Sequence, residues 1–208
     1  MGEPRDCNVV ACGTLRPELQ ALAEDGFIDE ENLLFTAPGL HEDPRQLEKQ
    51  LARQLQKVRS AKRHVIVVYG AKCYVDTVDP MRTIRSLIEE HGNHAHRVNA
   101  ENCVDMLVGE EERERIAGGE RVYWLTPGWL RHWRYIFREW DKGKANETFP
   151  QHDKAVMLDA VGFFESYSAE KPDEVLGFSD WMGLPIVPHS ISLERLRGLL
   201  SEEAKQHA

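Results

Sequence analysis

Three of the four cysteines in the chain follow short apolar segments with the composition of buried strands. Cys12 ends the stretch NVVAC, Cys73 comes shortly after HVIVVY, and Cys103 follows HRVNA. Because the carboxyl ends of parallel strands meet at one edge of a sheet, we expect the three thiols to lie near one another. Thiolates are the ligands that zinc and iron–sulfur clusters favour. The pattern therefore predicts a metal site formed by Cys12, Cys73 and Cys103.

Three protein ligands leave one coordination position open, which is typical of catalytic zinc, whereas structural zinc sites have four protein ligands. Cys7 precedes the first strand, and five residues of strand span about 16 Å, so we expect Cys7 at the opposite edge. His189 follows the last predicted strand and is the first histidine candidate for the open position or for substrate binding. His94 and His96 lie before their strand and are weaker candidates.

Two other interpretations of the cysteines stay open. Free cysteine is often a buried small hydrophobe, and the chain contains no C-x-x-C pair that would mark a metal site locally. A single thiol could also act as a nucleophile without a metal, if a helix N-terminus lowers its pKa. Cys103 starts a predicted helix and is the best placed of the four for that role.

The stretch RVYWLTPGWLRHW, residues 121–133, predicts a strand followed by a helix. Thr126 is expected to cap this helix, whose free N–H groups near Gly128 would favour an anion at the same edge. Trp129, at the helix start, is the aromatic candidate for substrate contact. The spacing of the later tryptophans is typical of a core-facing helix stripe, and residues 131–134 are expected to coat its outer face.

Apolar strand-like runs alternate with amphipathic runs along the whole chain, which predicts a parallel sheet with crossover helices. We therefore expect an α/β fold, a three-layer αβα sandwich with a mostly parallel, Rossmann-like sheet. Residues 1–208 are expected to form one domain, with the polar stretch at 142–153 as the one place where a C-terminal βαβα extension could begin. The predicted strands are 8–11, 33–36, 64–69, 96–99, 121–125, 154–158 and 185–188. The predicted helices are 17–24, 44–61, 80–91, 103–117, 128–142, 172–182 and 193–205.

Charge and hydropathy exclude several classes of protein. The formal net charge of -9 argues against a nucleic-acid binder, because neutralising phosphates needs a basic face. No apolar run approaches the eighteen or so residues of a membrane span, and the N-terminus has no secretory signal pattern. We therefore expect a cytoplasmic protein with no membrane partner, in which the thiols are free or metal-bound.

Several stretches together resemble one family of prokaryotic proteins, DUF1638: VVACGTLRPEL, VYGAKC, NCVDMLVGEEER, YWLTPGW and KAVMLDAVG. The resemblance runs from about residue 8 to residue 200. Members place a cysteine at three such points, which implies that Cys12, Cys73 and Cys103 form a shared site. Many members have Cys-Gly at the second point, whereas this chain has Cys73 followed by Tyr74.

DUF1638 members resemble proteins encoded beside corrinoid-dependent methyltransferase systems, which implies a role in one-carbon metabolism. We therefore expect an enzyme or accessory enzyme with a zinc ion or a 4Fe–4S cluster on the three cysteines, acting in corrinoid-linked methyl transfer on a small-molecule substrate. Tyr69, Glu101 and Asp105 are candidates for acid–base help near the edge. The alternative is a non-catalytic module that binds a metal, a corrinoid or a methyltransferase subunit.

Overall fold

The computed structural model describes residues 2–59, 63–91 and 94–206. Within this part of the chain, all predicted strands are present, each with its ends within two residues of the prediction. Continuous apolar runs explain this success for the strands at 8–11, 65–68 and 154–159, whose residues are almost all buried, because strands covered on both faces need apolar residues. The strands are β1 (Asn8–Ala11), β2 (Leu33–Phe35), β3 (Val65–Val68), β4 (Ala95–Arg97), β5 (Val122–Leu125), β6 (Lys154–Asp159) and β7 (Ile186–Ser190).

The strands form two parallel sheets, where the sequence suggested one. The first has the order β2-β1-β3-β4 and the second has the order β5-β6-β7. Every pair within them is parallel. The α/β class with helices on both faces of a parallel sheet is confirmed. The division into two sheets depends on which strands pair over long range, and local apolar patterns do not encode that choice.

The helices mostly begin where proline and capping residues predicted. The predicted helix at 103–117 is two helices, because Val108 and Gly109 are extended. The predicted helix end at residue 61 lies outside the described residues. No helix in the described ranges is both long and apolar enough to cross a membrane. The helices are α1 (Arg16–Glu24), α2 (Pro44–Val58), α3 (Ile84–His91), α4 (Cys103–Leu107), α5 (Glu110–Ala117), α6 (Pro127–Ile136), α7 (Lys142–Thr148), α8 (Phe163–Glu170), α9 (Pro172–Met182) and α10 (Glu194–Gln206).

Two of these helices were not predicted. The stretch at 142–153, expected to be a polar linker, contains α7 and a short 3-10 turn, and it buries Ala145 and Phe149 in a core. The helix α8 begins after Gly162, which has a left-handed backbone with φ 67°. Its first turn is capped by the Asp159 carboxylate, which accepts the N–H groups of Phe163 and Phe164. Whether the chain divides into two domains near 142–153 stays a prediction.

Alternate residues of the strands face different cores, as the two-residue period of a strand requires. In the first sheet, Val9 faces a central core that includes residues of α1, α4 and α10, and Val10 faces an outer core with α2 and α3. In the second sheet, Val156 faces the same central core, and Met157 faces another outer core with α6, α7, α8 and α9. Each sheet therefore has helices on both faces, and the two sheets share the central core.

The order of the first sheet fixes where a ligand is expected. From β1 the chain crosses to β2 on one side, and it later returns to β3 and β4 on the other side. In open parallel sheets, such a reversal leaves a crevice at the carboxyl ends of the strands on which it occurs. Here that crevice lies beyond Ala11 of β1 and Val68 of β3. Cys12 directly follows the first of these strands, and Tyr69 follows the second.

Two glycines allow the loops around this crevice to approach one another closely. A Cβ atom on Gly70 would lie 2.3 Å from the carbonyl oxygen of Glu101. A Cβ atom on Gly128, in the first turn of α6, would lie 2.2 Å from the carbonyl oxygen of Thr14. Both neighbours are backbone atoms, which cannot move aside as a flexible side chain can. The loop after β1 is therefore in direct contact with α6, and the loop after β3 with the residues before α4.

We expect Gly128→Ala to lower the free energy of unfolding by about 2 kcal/mol or more, because the added methyl group overlaps the Thr14 backbone. Urea denaturation monitored by circular dichroism measures this change. Gly198→Ala is the matched control, since Gly198 also lies in a helix but has no atom within 4 Å of its Cβ position. That variant should gain about 0.5–1 kcal/mol. Equal stabilities of the two variants would contradict the close contact at Thr14.

Candidate functional site

The three cysteines after the strands line one cavity at the crevice between β1 and β3. The cavity is small, about 20 Å³, which is close to the space that one water molecule needs. The structure thus brings together Cys12, Cys73 and Cys103, which are far apart in the sequence. The complete lining is Cys12, Thr14, Leu15, His41, Val68, Tyr69, Gly70, Cys73, Cys103 and Met106.

Each cysteine is held by its own backbone element. Cys12 precedes a 3-10 turn, Gly13–Leu15, and Cys73 ends another, Ala71–Cys73, where its N–H donates to Gly70 O at 3.1 Å. Cys103 is the first residue of α4. The N-cap of that helix is Asn102, whose side chain accepts the Asp105 N–H at 2.9 Å. The thiols therefore sit on hydrogen-bonded turns and a capped helix start.

Hydrogen-bond donors face the sulfur atoms. The Thr14 hydroxyl donates to Cys12 Sγ at 3.1 Å. The buried Tyr69 hydroxyl is in hydrogen-bond contact with Cys12 and with Thr36. The Trp129 indole lies near Cys103 and lowers the pKa of its thiol. Donors of this kind stabilise sulfur when it carries negative charge, so the surroundings suit thiolates once a cation is present.

Without a cation, burial opposes ionisation of the thiols. Burial raises the pKa of Cys73 to about 12, with the neighbouring Cys12 as the next cause. Burial also raises the pKa of Cys103 well above its usual range, followed by the effects of Cys73 and Cys12, while the Trp129 contact lowers it. The pKa of Tyr69 is raised by burial and then by Cys12. Without a metal, Cys73 and Cys103 are therefore neutral at physiological pH, and metal binding has to release their protons.

The thiol ligands and the volume of the cavity suit a single thiophilic ion, whereas the spacing of the sulfur atoms does not. In the described chain, the three sulfur atoms do not all lie within 4.8 Å of one another. Tetrahedral zinc, with Zn–S bonds of about 2.3 Å, holds its sulfur ligands about 3.8 Å apart, so the sulfurs would have to close in on binding. A 4Fe–4S cluster comprises eight inorganic atoms and needs far more room than the 20 Å³ of this cavity.

Another set of side chains lies closer together, but its negative charge is already neutralised by an arginine. Glu48, Glu90 and His91 form the one group in the described ranges whose ligand atoms all lie within 4.8 Å. Arg82 is ion-paired with Glu48 at 2.7 Å and with Glu90 at 2.6 Å. The guanidinium therefore supplies the positive charge that a metal would supply, and the group is an ion-pair network.

His41 is a site residue that the sequence did not suggest. It lies on the 3-10 turn Leu40–Glu42, after Gly39, and lines the cavity. Its ring centroid is 5.2 Å from that of Trp129. Burial lowers the pKa of His41, although Glu42 beside it acts in the opposite direction. The imidazole is therefore held neutral, which is the form that binds metals. The one sequence signal for it is its position after β2, at the same edge as the cysteines.

The other predicted residues lie in different places. Thr126 is the N-cap residue of α6, but its hydroxyl donates to Thr14 O at 3.1 Å instead of capping the helix. Trp129 is buried beside the cavity, while Gly128 is in contact with Thr14. His189 is exposed on β7, in the second sheet, and the structure does not bring it to the cavity. Cys7 is buried before β1, as expected.

Of the acid–base candidates, the structure places only Tyr69 in the cavity lining. Asp105 accepts the Glu101 N–H at 2.9 Å and is ion-paired with Arg195 at 2.9 Å, so it stabilises the start of α4. The Glu101 carboxylate is exposed and pairs with Lys72 at 2.5 Å.

Glu18, on the apolar face of α1, is a buried carboxyl group that sequence analysis missed. Its side chain is fully buried, and neither carboxyl oxygen makes a hydrogen bond to another residue. Burial raises the pKa of Glu18 to about 8, Asp159 adds to the increase, and the Glu18 backbone N–H and Arg131 oppose it. The carboxyl group is therefore protonated in the folded protein at neutral pH.

We expect Glu18→Gln to remove one pH dependence of stability. The pKa of Glu18 is higher in the folded than in the unfolded chain. The stability that its raised pKa contributes is therefore fully present below about pH 4.5 and is lost as the pH rises towards 8. The free energy of unfolding of the variant relative to wild type should therefore increase from pH 5 to pH 8 and level off above that. Urea denaturation at a series of pH values measures this difference, and parallel pH profiles would contradict the assignment.

Comparison with known proteins places the chain in a family without supplying an activity. A family model described as "Protein of unknown function (DUF1638)" matches residues 35–200. The match contains Cys73, Cys103 and Trp129, and it begins after Cys12. Neither the curated proteins nor the solved structures gave a match to the chain. Because the family model covers most of its length, the chain belongs to the DUF1638 family.

Proposed function

We propose that the three-cysteine cavity is a metal centre, and that the protein is an enzyme or accessory enzyme that uses it. The observation that carries this proposal is the cavity itself: three thiols from three separate strand–helix connections line one small space. The cavity also lies where an open parallel sheet is expected to bind its ligand. Packing alone does not require three cysteines at these positions, since any small apolar residue fills a core.

Zinc is the ion that these residues suit best. The cavity volume favours a single ion over a cluster, and three sulfur ligands leave a fourth position for substrate, water or His41. A bound zinc ion would lower the pKa of a thiol or water in that position and so make it a nucleophile at neutral pH. That chemistry suits methyl transfer to a thiol, in line with the one-carbon role that the family resemblance implies.

The residues of the chain supply positioning and exclusion of water. Thr14 donates to Cys12 Sγ, which fixes the direction of a sulfur lone pair and would stabilise a thiolate there. His41 and Trp129 lie in ring contact, 5.2 Å apart, beside the cavity. The polar groups in the site are thus aimed at sulfur before any substrate arrives, and their orientation costs no reorganisation during the reaction.

We expect protein purified without air or chelator to contain about one zinc per chain, measured by mass spectrometry of the metals. The Cys12/Cys73/Cys103→Ala variant should lose it, and Cys7→Ala, the matched control at the opposite edge, should retain it. Because the pKa of Cys73 is raised to about 12, zinc added to metal-free wild type should also release protons.

The outcomes of this experiment separate the alternatives. A content of about four irons and four sulfides per chain would indicate a 4Fe–4S cluster instead of zinc and would show that the cavity expands to hold it. Absence of metal from folded wild-type protein, with no proton release on adding zinc, would overturn the metal centre and leave packing or a bare thiol nucleophile.

A second candidate, the binding module for a corrinoid or methyltransferase subunit, is favoured by an exposed apolar surface next to Cys73. Val75, Val78 and Met81 are 60%, 87% and 83% exposed. Their loop is ordered by Asp76, whose carboxylate accepts the Val78 N–H at 2.7 Å and pairs with Arg82 at 2.9 Å. A hydrogen-bonded loop that presents apolar side chains to solvent is typical of a contact surface.

We expect the double change Val78→Asp and Met81→Asp to abolish co-purification with a corrinoid or methyltransferase subunit, if the protein is such a module, while metal content stays unchanged. Mass spectrometry of affinity-purified protein identifies that partner. Leu176→Asp, which alters an apolar residue 66% exposed on α9, is the control. Equal recovery of the subunit with all variants would remove this surface as its binding site.

A further inference from the structure

Two arginines without counter-charges lie at the edge that carries the cysteine cavity. Arg16 is the first residue of α1, and its guanidinium lies 3.9 Å from the ring centroid of Phe35. Arg131 belongs to α6, and its guanidinium lies 4.8 Å from the ring centroid of Phe163. Among the residues that the structure describes, neither guanidinium has an ion pair or a side-chain hydrogen bond. Each is instead held by a cation–π contact with an aromatic ring.

The two arginines lie close enough to repel each other. The helices α1 and α6 pack together, and the Thr126 hydroxyl joins their starts by its bond to Thr14 O. After burial, the charge of Arg131 is the next cause that lowers the pKa of Arg16, and both arginines lower the pKa of His132. Like charges placed together destabilise a fold unless something compensates them.

The carboxyl groups near the pair form no ion pair with it, although Glu170, Asp173 and Glu174 line the same surface depression as Arg131. Glu18 is protonated at neutral pH, for the reasons given above. The Asp159 carboxylate is occupied by three backbone N–H groups, those of Val161, Phe163 and Phe164.

Arg134, on the same helix as Arg131, has both a cation–π contact and an ion pair. Its guanidinium also lies over an aromatic ring, at 4.3 Å from the centroid of Trp133. Unlike Arg131, it is ion-paired, with Glu174 at 3.1 Å. The chain therefore pairs one arginine of this helix with a carboxylate and leaves Arg131 available, although both are exposed to solvent.

The arginine pair lies between the carboxyl ends of the two sheets. Phe35, under Arg16, is the last residue of β2, and Phe163, under Arg131, follows β6. Arg16 comes directly after Leu15, which lines the cysteine cavity. On the other side, Arg131 borders an open surface depression between α6 and the segment that joins α8 to α9. Arg131 is therefore open to solvent from the side of this depression, and Arg16 directly follows a residue of the cavity lining in the sequence.

We propose that Arg16 and Arg131 bind the anionic group, carboxylate or phosphate, of a small-molecule ligand beside the cysteine cavity. Planar guanidinium groups bind both anions through paired, charge-assisted hydrogen bonds. The two cation–π contacts keep the side chains in place before the ligand arrives, which lowers the entropy cost of binding. The site is too small and the chain too acidic for a nucleic-acid backbone. The inference goes beyond the metal centre, since anion binding by two arginines requires no metal.

The test is a titration of chelator-treated wild-type protein with inorganic phosphate, and in a second series with malonate, at constant ionic strength set by chloride. Intrinsic tryptophan fluorescence and calorimetry report binding. We expect saturable binding of at least one of the two anions, with the stronger one identifying the ligand group. Arg131→Gln and Arg16→Gln should each weaken it about tenfold or more, as loss of a charged hydrogen bond does. Arg134→Gln is the matched control and should bind as wild type.

Circular dichroism confirms folding of each variant, and Arg16→Lys, which keeps the charge, replaces Arg16→Gln if that variant unfolds. An intermediate loss with Arg16→Lys supports the proposal, because lysine lacks the paired donors. No saturable binding to wild type, or equal affinity in wild type and Arg131→Gln, would overturn it. Because the titration is metal-free, a failure of the metal centre and a failure of the anion site are seen separately.

Discussion

The two sheets and the candidate site depend on the contacts of one buried residue, Thr14. Its carbonyl oxygen accepts the Thr126 hydroxyl and touches Gly128, which ties the loop after β1 to the start of α6. Its own hydroxyl donates to Cys12 Sγ. One residue thus joins the first sheet to a helix that covers the second, and it also orients a thiol. A shift of this loop would change the packing between the sheets and the shape of the cavity together.

Desolvation is the second constraint on the site. Three thiols and a buried tyrosine hydroxyl share a cavity in which the Thr14 hydroxyl also donates to sulfur. For uncharged thiols this excess of donors has little use, because a thiol is a weak acceptor. For thiolates it is favourable, but burial without a cation prevents their formation. A positive charge in the cavity would allow thiolates to form there, which is the physical basis of the proposed metal centre.

Sequence patterns captured the strands and the grouping of the cysteines for the same reason. A strand buried on both faces is encoded by consecutive apolar residues. The end of a parallel strand determines at which edge of the sheet the next residue lies. Sheet membership is not local, so the sequence suggested one sheet and placed His189 at the edge, whereas β7 belongs to the second sheet. His41 and Glu18 were missed because one lies on a 3-10 turn without periodicity and the other occupies an apolar helix position. The positions of both side chains in the structure are determined by tertiary contacts.

The size of the cavity limits what the site can accept and thereby connects the two proposals. A space of about 20 Å³ holds an ion or one ligand atom, so the body of any substrate has to remain outside. In the cavity lining, His41 provides an aromatic contact, and the arginine pair provides charge at the same edge. An anionic molecule anchored by Arg16 and Arg131 would have its orientation fixed before one of its atoms entered the cavity. Binding energy from the remote anionic group would then position the reacting atom, which is how enzymes use parts of a substrate that take no part in the chemistry.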